Sequence, residues 1–104
     1  MTKVVLRPQA EDDLAAIHDF IADQAGARIA ERYLHRLEVA IFALSDFPSR
    51  GTLRPDIGRG VRTTGFERRV TLLFRVLESE VEILRVLYGG RNFEAILGGE
   101  ADGV

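Results

Sequence analysis

Apolar residues recur along the first half of the chain at helical spacing. Ala10, Leu14, Ile17, Ile21 and Ala25 are separated by four, three, four and four positions, which puts them on one face of an α-helix. Pro8 suits the first helical position, where its missing N–H would have no partner anyway. Glu11, Asp12 and Asp13 then place negative charge at the positive end of the helix dipole. Arg7 is a poor N-cap, so this start rests on proline and charge. Gly26 offers a C-terminal stop. A second stripe follows at once: Ile29, Tyr33, Leu37, Ala40 and Leu44, broadened by Ala30, Leu34 and Ile41 and ended by Pro48. Two amphipathic helices on so short a link must pack antiparallel, and their shared apolar face needs a further layer to cover it.

The second half has a different period. Ser49 to Gly60 is rich in Gly, Pro and charge and reads as a loop. Val61 to Phe66 is a plausible strand. From Arg69 to Leu77 the residues alternate, with Val70, Leu72, Phe74 and Val76 on one side and Arg69, Thr71, Leu73 and Arg75 on the other. Val81 to Tyr88 is rich in β-branched and aliphatic residues, and Glu78-Ser79-Glu80 links it back as a tight hairpin. Lys3 to Leu6 adds a short first strand. Gly89-Gly90 breaks the last strand, and Arg91 to Leu97 is a short tail element. The order β-α-α-β-β-β predicts an α+β fold, with an antiparallel helical hairpin on one face of a mainly antiparallel sheet. Residues 1–97 are expected to form one domain and residues 98–104 a frayed tail. With helices on one side, the other side of the sheet is expected to stay open, exposing Leu73 and Leu77 beside arginines.

Composition narrows the chemistry. The chain has 104 residues, 46% hydrophobic and 29% charged, enough for one core and unlike a disordered protein. It has no Cys, which excludes a disulfide framework, a thiolate metal site and a Cys nucleophile. No apolar run approaches the roughly 20 residues a bilayer requires, and the N-terminus lacks a signal-peptide hydrophobic region, so a cytoplasmic location is expected. The net charge of −2 is unevenly spread. Residues 47–77 hold seven Arg against Asp56 and Glu67, while acids dominate on both sides. All basic residues but Lys3 are Arg, whose planar fork pairs with carboxylate or phosphate and is favoured at interfaces. An arginine-rich middle suits a surface that meets an anion, or a face solvated and balanced by its acidic flanks.

Three stretches together resemble the ParE/RelE toxin superfamily. They are Val5-Leu6-Arg7-Pro8-Gln9-Ala10-Glu11-Asp12-Asp13-Leu14-Ala15-Ala16-Ile17, then Gly60-Val61-Arg62 through Arg69-Val70-Thr71-Leu72-Leu73-Phe74-Arg75-Val76, then Val81-Glu82-Ile83-Leu84-Arg85-Val86-Leu87-Tyr88-Gly89-Gly90-Arg91-Asn92. With the helical hairpin, the resemblance covers about residues 3–97. It implies the fold given above and one of two activities. RelE-like members are ribosome-dependent mRNA endoribonucleases. ParE-like members are poisons of DNA gyrase that lack the nuclease residues. Both are neutralised by an antitoxin encoded beside them, usually a DNA-binding protein.

RNA cleavage through a 2′-hydroxyl needs a base, cationic stabilisation of the phosphorane and an acid for the leaving oxygen. RelE-like nucleases draw these from Lys and Arg on the sheet, an Arg after the last strand and a Tyr near the C-terminus. Arg62, Arg69 and Arg91 fall at or near the cationic positions. The lysines do not match, since Lys3 is the only one, and no Tyr follows Tyr88. Arginine stays protonated and is a poor proton shuttle. His18 and His35 fall on the expected helices without a partner group, and Asp12, Asp13, Asp19 and Asp23 spread around a helix as solvation rather than as a metal site. Gly58-Arg59-Gly60 with Gly65 fails as a phosphate loop because a strand follows it.

The residues thus favour the ParE-like branch: a non-enzymatic toxin without cofactor or metal that binds a macromolecule, by resemblance DNA gyrase. Arg62, Arg69, Arg75, Arg91, Asn92 and Phe93 are its candidate target contacts. Tyr33, Leu37, Phe42 and Leu73 are the candidate contacts for a ParD-like antitoxin of ribbon-helix-helix type, in a hetero-oligomer. Two other readings stay open: an mRNA endoribonuclease with an unusual acid, and a non-toxic antitoxin-binding co-regulator.

Overall fold

In a computed structural model, which describes residues 2–89, two helices pack on one face of a five-stranded mixed sheet. The order is β1 (Lys3–Leu6), α1 (Pro8–Ala25), α2 (Ala27–Phe42), β2 (Thr52–Leu53), β3 (Val61–Phe66), β4 (Val70–Val76) and β5 (Glu80–Tyr88), with a short 3-10 turn at Ala43–Ser45 after α2. The expected α+β class holds, and so does the order of elements apart from one added two-residue strand, β2. The frayed tail and the element from Arg91 to Leu97 lie outside the described residues.

Helix α1 starts at Pro8 with no side-chain cap from Arg7, as the local residues dictate. Its end and the start of α2 share one residue. Gly26, at φ +98, donates its N–H to the Ala22 carbonyl and accepts from the Ala30 N–H. Glycine takes this left-handed conformation without the Cβ clash that other residues meet, so the chain reverses between helices in a single step.

The strands lie in the order β1-β5-β4-β3-β2. Three neighbouring pairs are antiparallel, while β1 lies parallel to β5, from Lys3↔Glu80 to Leu6↔Ile83. The two-residue strand β2 sits inside what the sequence reads as a plain loop; two residues carry no periodicity to betray it. A register shift between Leu73 and Phe74 marks a bulge in the β4–β5 ladder, which re-aims the strand it interrupts.

The main core lies between the helices and the sheet. Ala10, Ile17 and Ile21 of α1 and Ala30, Tyr33, Leu37 and Ile41 of α2 meet Val70, Leu72, Phe74, Val81, Ile83 and Val86. Phe74, Leu37 and Ile41 are wholly buried. Ile29, at the margin of the sequence stripe, is instead half exposed. The burial arc centres on the Ala30/Tyr33/Leu37/Ile41 positions, one residue along.

The other sheet face is not open. The segment between β2 and β3 folds over its middle. Ile57 from that segment and Leu84 pack on a second cluster of Val61, Leu73 and Leu87. The expectation of an open face lined by Leu73 is therefore corrected: Leu73 has no exposed surface. Leu77 remains exposed at the strand's end.

Candidate interaction surfaces

Strand register scatters the arginines that the sequence groups together. Arg62 lies opposite Phe74 and Arg75 opposite Val61, so alternation sends them to opposite faces. Arg62 donates to the Ser49 carbonyl at 2.9 Å. Arg75 donates to Glu82 at 2.7 Å, and Arg7 reaches the same carboxylate at 3.2 Å. Burial pushes the Glu82 carboxyl up, but the two guanidiniums outweigh it and hold it below its ordinary value. Arg75 is thus engaged within its own sheet. Arg69 sits in the β3–β4 turn, six residues along, roughly 20 Å away at strand rise. Arg91, Asn92 and Phe93 lie outside the described residues.

The four candidate antitoxin contacts also divide. Leu37 and Leu73 are fully buried and Tyr33 nearly so, while Phe42 is 52% exposed. Leu37 and Leu73 therefore have no surface to offer a partner, and Tyr33 very little; helical and strand periodicity marks a core and a groove with the same residues. Phe42 stands with Val39 (57% exposed) on the outward face of α2, where Arg28, Arg32, His35 and Arg36 are exposed too. Apolar side chains among arginines are the composition of an interface centre rather than of a solvated helix. Sequence spacing hides this face because its apolar members fall outside the dominant stripe.

A second basic feature is built where α2 meets the β3–β4 turn. Glu67 and Arg68 both hold left-handed backbones, at φ 49 and φ 60. Glycine or asparagine normally fills such turns, and a larger residue there costs on the order of 1 kcal/mol. Arg36 clamps the strained turn, with Nε–H and Nη2–H donating to Glu67 at 2.9 and 3.1 Å. The Arg36 hydrogen bonds keep Glu67 ionised below its ordinary value. The Arg36 guanidinium also stacks 5.3 Å from the Tyr33 ring centre. Tyr33 packs edge-on to Phe66 and Tyr88, and burial, then Glu67, push its hydroxyl up. The clamp brings exposed Arg68 and Arg69 to the same end of the molecule as the polar face of α2.

Among the described residues, this end offers guanidiniums that suit an anion and few groups placed to move a proton. Glu67 is tied up as a depressed carboxylate. The Tyr33 hydroxyl is buried without a hydrogen-bond partner among the described residues. His18 is on α1, 3.4 Å from Asp19, and His35 is on the exposed side of α2. No group of three or more His, Cys, Asp or Glu that could hold a metal ion occurs among the described residues, and no described helix is long and apolar enough to cross a membrane.

One acid departs from its expected role. Asp13 is not solvation. Its carboxylate accepts from Arg85 at 2.8 and 3.0 Å and from the Val86 N–H at 2.9 Å, tying α1 to β5. Nothing in the local spacing of the acids singles it out.

A helical hairpin on a mixed sheet, with a basic and partly apolar surface, is the architecture of a small toxin of the RelE/ParE type. Residues 4–93 match the family described as "ParE toxin of type II toxin-antitoxin system, parDE", and the chain belongs to that family. It is similar to Toxin ParE3 of Caulobacter vibrioides, 32% identical over 98 residues that cover 94% of this chain and 97% of that one. It is also similar to a chain of the structure titled "Chromosomal ParDE TA system from P. aeruginosa", with a TM-score of 0.75 and 29% identity over 86% of this chain and 97% of that chain.

Proposed function

We propose that this toxin arrests growth by gripping DNA gyrase, without cutting RNA, and that a ParD-like antitoxin of ribbon-helix-helix type holds it silent in a hetero-oligomer. The observation that carries the non-enzymatic reading is the basic end where Arg68 and Arg69 stand exposed beside the Arg36–Glu67 ion pair. Its carboxylate is locked in an ion pair and its tyrosine hydroxyl is buried, so guanidiniums are available there and a base–acid pair is not. Arg69 heads the target contacts, with Arg68 beside it and Arg91 and Asn92 further along the chain. Arg62 and Arg75 contribute less, since each already has a partner within the fold.

The outward face of α2 fits the antitoxin. Val39 and Phe42 would anchor an apolar helix face, and Arg28 and Arg32 would meet its acids. The ParDE title of the Pseudomonas structure supports a partner of this class. The test is a reaction of purified chain with gyrase, ATP and supercoiled DNA. Accumulation of linear DNA covalently bound to gyrase, abolished by an equimolar cognate antitoxin, is the expected result. DNA that stays supercoiled, with no linear product at saturating toxin, would refute the gyrase assignment.

A further inference from the structure

The arginines of α2 form a single row. Arg28, Arg32 and Arg36 follow one another at intervals of four, and each such step turns about 40° further round the helix. The row therefore starts on the outward face, beside Val39 and Phe42, and ends on the flank that meets the β3–β4 turn. Arg28 and Arg32 are exposed and make no ion pair among the described residues. Arg36 makes one, the two-donor contact with Glu67 at 2.9 and 3.1 Å. Both partners are open to water, their side chains 52% and 41% exposed. A pair so exposed has little hold of its own and exchanges readily for another carboxylate.

The turn at the other end of this pair is strained. The Arg69 N–H donates to the Phe66 carbonyl at 3.1 Å, closing a two-residue turn around Glu67 and Arg68. Both central residues are left-handed, and neither is glycine or asparagine. Arg68 and Arg69 are exposed and have no ion pair among the described residues either. The charges of Glu67, Arg36 and Arg69 all bear on the Tyr33 hydroxyl, so these side chains converge on one ring. Three guanidiniums thus gather around one carboxylate, and Arg36 occupies it. With Arg36 drawn off, Glu67 has two unpaired guanidiniums beside it in its own turn.

We propose that Arg36 is a positioning residue shared by the two surfaces assigned above, and that it changes carboxylate when α2 is covered. In the free toxin it occupies Glu67 and leaves Arg68 and Arg69 open to the target. The fitting partner carries an acidic side chain at each helical turn, lying along Arg28 and Arg32, with apolar residues over Val39 and Phe42. Such a partner brings a further carboxylate to Arg36, and Arg36 moves to it. Glu67 then pairs with Arg68 or Arg69 and neutralises the guanidiniums that meet the target. The partner silences the target end without covering it. This inference rests on the antitoxin and target surfaces of the proposed function.

Two measurements test it, and the first needs no partner. Arg36→Met removes the charge but keeps the stem over the Tyr33 ring. Carboxyl carbon NMR through a pH titration should show Glu67 still below its ordinary value in this variant, held by Arg68 or Arg69. It should return to that value only when Arg68→Gln and Arg69→Gln are added. Return in Arg36→Met alone overturns the exchange. The second measurement is calorimetric titration with the purified cognate antitoxin. Glu67→Gln, which frees Arg36 in advance, should tighten binding at least threefold. Arg36→Met should weaken it at least fivefold, and Arg36→Lys should restore most of that loss. Unchanged or weaker binding by Glu67→Gln contradicts the proposal, since a clamp that stays closed has nothing to give up. Absence of binding by the unaltered toxin removes the antitoxin reading itself, and the exchange falls with it.

Discussion

The two faces of the sheet are covered in different ways. On one, two periodic helices bury a continuous core that includes Phe74, Leu72 and Ile83. On the other, an aperiodic segment lays Ile57 over Val61, Leu73 and Leu87. The strands alternate equally well toward both. An alternating strand therefore announces two apolar faces, but only the partner's own pattern reveals which element will cover each.

The largest expected effect tests the helix side. Phe74→Ala should cost about 4 kcal/mol in reversible denaturant unfolding, because the surrounding helices and strands cannot collapse into the space. Leu73→Ala on the other face should cost less, about 2 kcal/mol, since the covering segment can settle inward. Equal losses would mean that this segment is as rigid as the helices. A loss under about 0.5 kcal/mol at Leu73 would mean that it does not cover the face at all.

Acidification should give the next effect. The carboxylate of Glu82 is held below its ordinary value by Arg75 and Arg7. A depressed folded value adds stability above the unfolded carboxylate value of about 4, and that stability is lost as pH falls through the folded value. Unfolding free energy should thus fall below about pH 4, and Glu82→Gln should flatten that slope. The smallest effect belongs to the exposed face of α2. Phe42→Ser should change stability by no more than about 0.5 kcal/mol yet weaken antitoxin binding at least tenfold by calorimetric titration. Unchanged binding would remove Phe42 from the interface.

Much of the fold is legible in the residues because each element repeats its own period. The α1 stripe of Ala10, Ile17 and Ile21, the single-glycine reversal at Gly26 and the alternation of Val70, Leu72 and Phe74 all follow from spacing and backbone freedom. The surfaces are less legible. Tyr33 and Leu37 have the spacing of a groove and of a core alike, and a sheet layer decides for the core. Arg62 and Arg75 look like one patch until register puts them on opposite faces. Arg36 finds Glu67 across 31 positions, and Asp13 finds Arg85 across 72, distances over which local patterning carries no information.

On the function proposed above, the guanidiniums of this toxin hold a target and transfer no proton. Toeprinting of a reporter mRNA on translating ribosomes, with and without the purified chain, tests it most directly. Full-length transcript with no new A-site stops, at a concentration that fully blocks gyrase, is the expected result. New A-site cleavage that disappears with Arg69→Ala would contradict the account.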